Sequence, residues 1–279
     1  MKKPCIKQLA FSKRSSAARP CAADAGHLPP AFLDELSCFE TLRTYQGRLF
    51  GLDEHLRRLA DSCAGLGRTL PIGAAGLKDW LAGAVREGGF PESIVRVSVH
   101  WSGPGEGRII AITREFRPRP RGDFERGVRL RTAVGRRPPA RAQNAQVKSS
   151  QYLPAVLALI DAAPDGAETL FLDAGGYVAE GSASNIFAVT KDKTILTPPI
   201  ASGILRGVTR ARVMALARKR GLAVKETLFT RHDLYNAAEC FLTNTSSEVL
   251  PVVEVDSRRI GTGRPGPVAK LLRKGFRNG

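Results

Sequence analysis

An α/β chain built as two lobes is the economical reading of these 279 residues. Three observations point there. Short apolar runs with strand-like alternation are interleaved with stretches of helical period. A basic, Pro-containing stretch without periodicity interrupts them near the middle. The hydrophobic share, 43%, is enough for a sizeable core.

Residues 1–30 hold no acid before Asp24, are rich in Lys, Arg, Ser and Ala, and end in a proline pair. That composition fits a poorly ordered basic tail or an organelle transit peptide, and the weak helical period favours the tail. A strand then carries Phe39 and Leu42, turns at Gln46-Gly47 and resumes to Phe50. From Asp53 the apolar residues Leu56, Leu59, Ala60 and Cys63 keep helical spacing, with Asp53 as N-cap and Gly65 to Gly67 as the stop. A second helix covers about Leu77 to Arg86, and SIVRVSVHW and RIIAITREF form two strands across the glycines Gly103 to Gly107. A phosphate-binding glycine loop would join a strand to a helix, so strands on both sides count against a nucleotide site there.

FRPRPRGDFERG is rich in proline and charge, VRLRTAV is a short strand, and GRRPPARAQNAQ reads as the interdomain crossing. Behind it come a helix from Tyr152 to Ala163 and a hairpin turning at Ala174-Gly175-Gly176. Strands at Ser184 to Val189 and Thr194 to Thr197, a helix from Thr209 to Arg220, and a strand at Ala223 to Phe229 follow. A short helix at His232 to Ala238, a strand at Glu239 to Leu242 and a C-terminal helix complete the chain. The expected division is a basic tail over 1–30, a small N-terminal lobe over 31–134, an interdomain loop over 135–147 and a larger C-terminal lobe over 148–279.

Lys+Arg 43 against Asp+Glu 26 gives a net charge of +17. Such a balance suits nucleic acid, a membrane surface or anionic substrates. Only 6% of residues are aromatic, so no platform for stacking single-stranded bases is expected, and the partners expected are small molecules rather than nucleic acid or membrane. No apolar run approaches the ~18 residues that span a bilayer, and the N-terminus lacks the apolar core of a secretory signal, so a cytoplasmic protein is expected. The cysteines Cys5, Cys21, Cys38, Cys63 and Cys240 are odd in number and lack metal-ligand spacing, which predicts reduced thiols and no metal site.

Taken singly, the polar motifs are weak. Lys148 in VKSSQYL could be a solvated charge, Arg58 in DEHLRRL part of a charged helix face, and Glu180 in YVAEGSASNIF a hairpin charge. Their order is more telling. H-x-x-R-L, V-K-S, E-G-S-x-S-N-I-F, G-I-L-x-G-V-T-R and F-L-T-N-T-S-S-E-V-x-P-V follow one another, with Glu180 placed 32 residues after Lys148. In this the chain resembles the fold type IV pyridoxal 5′-phosphate (PLP) enzymes, the class IV aminotransferase family. That family includes branched-chain aminotransferases, D-amino acid aminotransferases and aminodeoxychorismate lyases. The resemblance covers about Phe39 to Phe276 and is strongest from Val147 onward.

The resemblance implies a two-domain α/β fold with the cofactor between a small N-terminal and a larger C-terminal lobe, in a homodimer. It implies that Lys148 forms the Schiff base with PLP and shuttles the substrate proton, and that Glu180 holds the pyridine nitrogen protonated. The phosphate would take Arg58, the backbone N–H groups of Val208 and Thr209, and the hydroxyls of Thr209 and Thr245, with Gly207 letting the chain approach. Tyr152 matches a tyrosine that bonds the phenolic oxygen, and Leu205 packs on the ring. Phe39, Arg96, Thr245 and Ser246 fall on the substrate side. The implied activity is ping-pong transfer of an amino group between a hydrophobic or branched-chain amino acid and a 2-oxo acid. E-G-S leans that way; L-T-N-T leans toward the lyase, which makes 4-aminobenzoate and pyruvate, and a degenerate basic binding module is the third reading. The chain departs from the D-specific pattern: it has His100 and Trp101 but no matching arginine on that loop. It also lacks the usual opening strand W-x-[DN]-G.

Overall fold

The computed structural model describes residues 4–12, 15–21, 36–103, 105–139, 144–149 and 167–277. The chain divides into two units, one of Met1–Arg117 with Val147–Gln151 and the other of Pro118–Gln146 with Tyr152–Gly279. The expected helix from Tyr152 to Ala163, and Tyr152 with it, lies outside the described residues.

In the first unit the alternating segments form six strands: β1 (Cys5–Ser12), β2 (Ser15–Cys21), β3 (Leu36–Tyr45), β4 (Arg48–Leu49), β5 (Ser93–Gly103) and β6 (Glu106–Glu115). They make one antiparallel sheet in the order β2-β1-β6-β5-β3-β4. Helices α1 (Leu52–Gly65) and α2 (Ala74–Gly88) supply the other half of the core. Every second residue of β5, Val95, Val97, Val99 and Trp101, joins Leu42, Leu56, Leu59, Leu77 and Leu81 in one apolar cluster. Burying each such leucine contributes about 2 kcal/mol. The intervening β5 residues, Arg96, Ser98 and His100, therefore lie on the opposite sheet face with Phe39 of β3, which is paired to Ser98.

Two expectations need correction here. The segment taken for a poorly ordered tail contains β1 and β2: Cys5 to Phe11 pair with Thr113 to Gly107 of β6, so an edge far along the chain supplies the order that the polar composition does not signal. Helix α1 begins at Leu52 behind Gly51, whose φ of 63° is left-handed, and Asp53 sits in the first turn, where its charge suits the helix dipole, instead of capping it. Cys38 and Cys63, free thiols, meet across the β3–α1 contact with their sulfurs 3.5 Å apart.

The second unit contains β7 (Val128–Thr132), β8 (Glu168–Leu172), β9 (Val178–Gly181), β10 (Asn185–Val189), β11 (Ile195–Thr197), β12 (Val224–Glu226), β13 (Glu239–Asn244), β14 (Glu248–Val255) and β15 (Arg258–Arg259). Its described helices are α3 (Arg121–Arg126), α4 (Val208–Lys219), α5 (Arg231–Tyr235) and α6 (Pro267–Arg277). The sheet runs β12-β11-β10-β13-β14-β7-β8-β9, and β9 pairs again with β10 at Asn185↔Glu180, closing the six strands from β10 to β9 on themselves. Strand β7 hydrogen-bonds to β14 and β8, so the boundary falls at Arg117/Pro118 instead of near residue 135, and Lys148 goes with the first unit. The Pro- and charge-rich segment holds α3, which the sequence did not suggest. Strand β14 was also missed; it holds Pro251, a residue disfavoured in inner strands. It is tolerated because β7 starts opposite Val252, so no β7 partner is waiting for the N–H that Pro251 lacks. Among the described residues, no helix is long and apolar enough to cross a membrane.

Candidate functional site

In the first unit the segment ending the interdomain loop docks along β3. The Phe39 N–H donates to the Lys148 carbonyl at 2.9 Å, the Lys148 N–H donates to the Ser62 hydroxyl at 3.1 Å, and Ser149 bridges Cys38. Ser62 is on α1 one turn beyond Arg58, so one strand and one helix fix the lysine's backbone. The Lys148 ammonium lies 4.5 Å from the centroid of the Phe39 ring, and the Arg96 guanidinium lies 3.6 Å from it. Lys148, Phe39 and Arg96 are thus brought together. Burial and the Arg114 charge lower the Arg96 pKa. Burial, then the Arg96 and Arg108 charges, push the His100 imidazole down to about 4, so this ring is neutral at neutral pH. The β5–β6 register sets Arg108 directly opposite His100, a pairing that loop spacing could not reveal.

Arg58 is held by Glu40, itself bonded to His55, and the sequence reading assigned a role to neither. The fully buried Glu40 carboxylate accepts from Arg58 Nε at 2.6 Å and Nη2 at 2.8 Å, and its Oε2 is 2.8 Å from His55 Nδ1. Two parallel bonds orient the guanidinium plane more firmly than a point charge could. His55 precedes Arg58 by three residues and so shares its helix face, the one sequence signal for the trio. Burial opposes the charged form of Glu40, but the Arg58 charge, the His55 and Arg58 hydrogen bonds and the His55 charge outweigh it and hold the carboxyl down at about 2.

A carboxyl with a lowered pKa contributes stability above its ordinary range near ~4.3, and that stability is lost as pH falls through the folded value. Urea unfolding between pH 5 and pH 2 should therefore show a loss of about 3 kcal/mol that Glu40→Gln removes from the pH profile. An unchanged slope in the variant would contradict the ion-pair reading.

In the second unit, the closing strand pair puts Glu180 and Asn185 side by side. The Glu180 side chain, 3% exposed, accepts from Arg137 Nη2, from Asn185 Nδ2 at 3.1 Å and from the Leu205 N–H at 3.1 Å. Asn185 also donates to the Leu205 carbonyl at 3.0 Å. Arg137 comes from the stretch taken as a bare crossing, and is buried with its guanidinium 5.1 Å from the Phe171 ring. Three donors satisfy this one buried carboxylate.

Two residues past Leu205, Gly207 caps α4, whose first residues are Val208 and Thr209, both buried. A Cβ on Gly207 would run into the Asn185 side-chain oxygen. Gly207→Ala should therefore displace Asn185 from Glu180 and weaken cofactor retention at least about 10-fold, the loss of one to two hydrogen bonds, as read by dialysis of the holoenzyme. Thr245 and Ser246 lie in the turn between β13 and β14, where the Ser247 N–H donates to Asn244 Oδ1 at 2.7 Å. Thr245 is half-buried and Ser246 exposed.

The first unit offers a lysine amine beside an aromatic ring, and the second a buried carboxylate and a helix start next to a glycine with no room for a side chain; each suits a part of PLP. A model of the amino-transferase class IV family matches residues 37–255. A putative branched-chain-amino-acid aminotransferase of Methanocaldococcus jannaschii is 36% identical over 253 residues, 86% of this chain and 85% of that protein. The D-alanine aminotransferase of Bacillus licheniformis is 33% identical over 277 residues, 96% of this chain and 95% of its own. The structure of the branched-chain amino acid aminotransferase of Thermobaculum terrenum in its PLP form superposes with a TM-score of 0.84 at 26% identity, covering 98% of this chain and 93% of that one.

Proposed function

The chain belongs to the class IV aminotransferase family, and from that premise we propose that Lys148, Glu180 and Arg58 hold PLP while amino groups pass between a hydrophobic or branched-chain amino acid and a 2-oxo acid. Its activity is PLP-dependent amino transfer, and the relatives point to that reaction rather than to the lyase. The cofactor, when bound, supplies the electron sink that makes the substrate Cα proton removable. The chain's own groups do the rest.

Lys148 Nζ takes the proton from the substrate Cα and returns it, so it must be neutral when freed. The Arg96 guanidinium shares the Phe39 ring with it. Glu180 would hold a proton on the pyridine nitrogen. Arg137 supports it from behind, since its charge makes the Glu180 carboxylate a weaker base and the shared proton stays on nitrogen. Arg58, locked by Glu40, and the N–H groups of Val208 and Thr209 serve the phosphate, with the Thr209 and Thr245 hydroxyls. Leu205 would pack against the cofactor ring, and Tyr152 would serve its phenolic oxygen. Phe39, Arg96 and Ser246 serve the substrate: the aromatic ring suits an apolar side chain, while the guanidinium and the Ser246 N–H suit carboxylates. A homodimer in the cytoplasm completes the proposal.

The observation that carries this reading is the buried Glu180 with its three donors, since a carboxylate so placed suits a cationic ring nitrogen. A panel of amino donors tests it: leucine, isoleucine, valine, glutamate and D-alanine, read by the change in cofactor absorbance and by 2-oxo acid formed. Branched-chain donors and glutamate should react fastest. Pyruvate released from aminodeoxychorismate without any amino acceptor would instead establish the lyase.

A further inference from the structure

The net charge of +17 is not accounted for by an anionic small-molecule site, and the structure shows where part of it collects. Helices α4 and α6 contain no acid between them: α4 carries Arg210, Arg212, Arg218 and Lys219, and α6 carries Lys270, Arg273, Lys274 and Arg277. Two of these are engaged internally. Arg210 is buried against Glu226, Thr197 and the Pro198 carbonyl, and Arg273 lies 3.6 Å over the Phe124 ring. Arg218 and Lys219 with the following Arg220, and Lys270 with Lys274, are exposed. The two helices lie together at Gly275: a Cβ there would meet the Leu216 side chain at 3.1 Å and the Arg220 guanidinium at 3.2 Å. Arg220 and Lys274 are thus placed where the two helices meet, and Arg218, Lys219 and Lys270 are exposed on the same two helices.

Other described helices treat their cations differently. Asp53 of α1 pairs with Lys78 of α2, and on and beside α3 the pairs are Arg121 with Glu125 and Arg119 with Asp123. Like charges four apart on a helix, as Lys270 and Lys274 are, destabilise it, and α4 and α6 supply no acid to relieve them.

We propose that this α4–α6 face binds the phosphate backbone of duplex nucleic acid without reading sequence. Clustered Lys and Arg on one face are the electrostatic footprint of such binding, and backbone contacts need no aromatic platform. The low aromatic content therefore counts against stacked single strands and not against this mode. An anionic membrane fits less well. The one large apolar side chain the two helices expose is Leu271, 38% accessible, too little to anchor a helix among acyl chains. The patch is at the far end of α4 from Val208 and Thr209, about 16 Å along the helix axis, so it is independent of the aminotransferase reading.

The test is fluorescence anisotropy of a labelled 20-base-pair DNA duplex titrated with the full-length holoenzyme. Five neutralised phosphates predict a log–log salt slope near about −4.5, or affinity falling roughly 500-fold between 50 and 200 mM salt. The variant Lys219→Glu, Arg220→Glu, Lys270→Glu, Lys274→Glu should lose at least about 100-fold in affinity while keeping its transamination rate. Should that variant not fold, Lys219→Gln, Lys270→Gln, Lys274→Gln should flatten the slope by about 2.7. No binding at 50 mM salt, binding that the folded variants leave unchanged, or binding to phosphatidylserine vesicles but not to the duplex would each overturn the proposal.

Discussion

Replacing Lys148 by alanine is expected to lower the transamination rate by at least about 10⁴-fold, the upper end of what a positioned proton carrier supplies, and to leave the cofactor without a covalent anchor. The fold should survive. The segment is held through its backbone, by the Phe39 N–H to the Lys148 carbonyl and the Lys148 N–H to the Ser62 hydroxyl, and alanine keeps both groups. Added primary amines should restore part of the rate if the missing function is proton transfer at the substrate Cα. A variant that keeps more than a hundredth of the parental rate would remove Lys148 from the chemistry.

The second large effect concerns Glu180. Glu180→Gln keeps the shape and the bond to Arg137, but it cannot hold a proton on the ring nitrogen. A fall in rate of about 10² to 10³-fold is expected, comparable to losing one preorganised electrostatic group. Glu180→Ala differs in kind. It leaves the Arg137 guanidinium buried with its carboxylate removed, which costs about 3–5 kcal/mol in stability. Thermal unfolding separates the two: the glutamine variant should melt close to the parent and the alanine variant well below it. Equal melting of all three would show that Arg137 does not depend on Glu180.

These contrasts also mark what the sequence could convey. Lys148, Glu180, Arg58 and the Gly207-Val208-Thr209 turn are legible because each sits in a short motif whose spacing survives in one dimension. Their partners are not. Asn185 reaches Glu180 only because β9 closes onto β10, and Arg137 reaches it from a stretch whose composition reads as linker. Glu40 lies within the strand that was recognised, yet its bond to Arg58 depends on how α1 packs on β3. The opening strands were missed for the same reason: β1 is ordered by β6, about a hundred residues later, and its own composition is that of a basic tail. Pro251 fits within β14 because the neighbouring strand β7 has not yet begun opposite it.

Every role proposed for this site depends on one lysine being bound to the cofactor. Borohydride reduction of the purified holoenzyme, followed by proteolysis and mass spectrometry of the peptides, tests this directly. The expected result is a single pyridoxyl-modified peptide with the added mass on Lys148. Modification at any other lysine, or a PLP-saturated protein that yields no modified peptide, would contradict it.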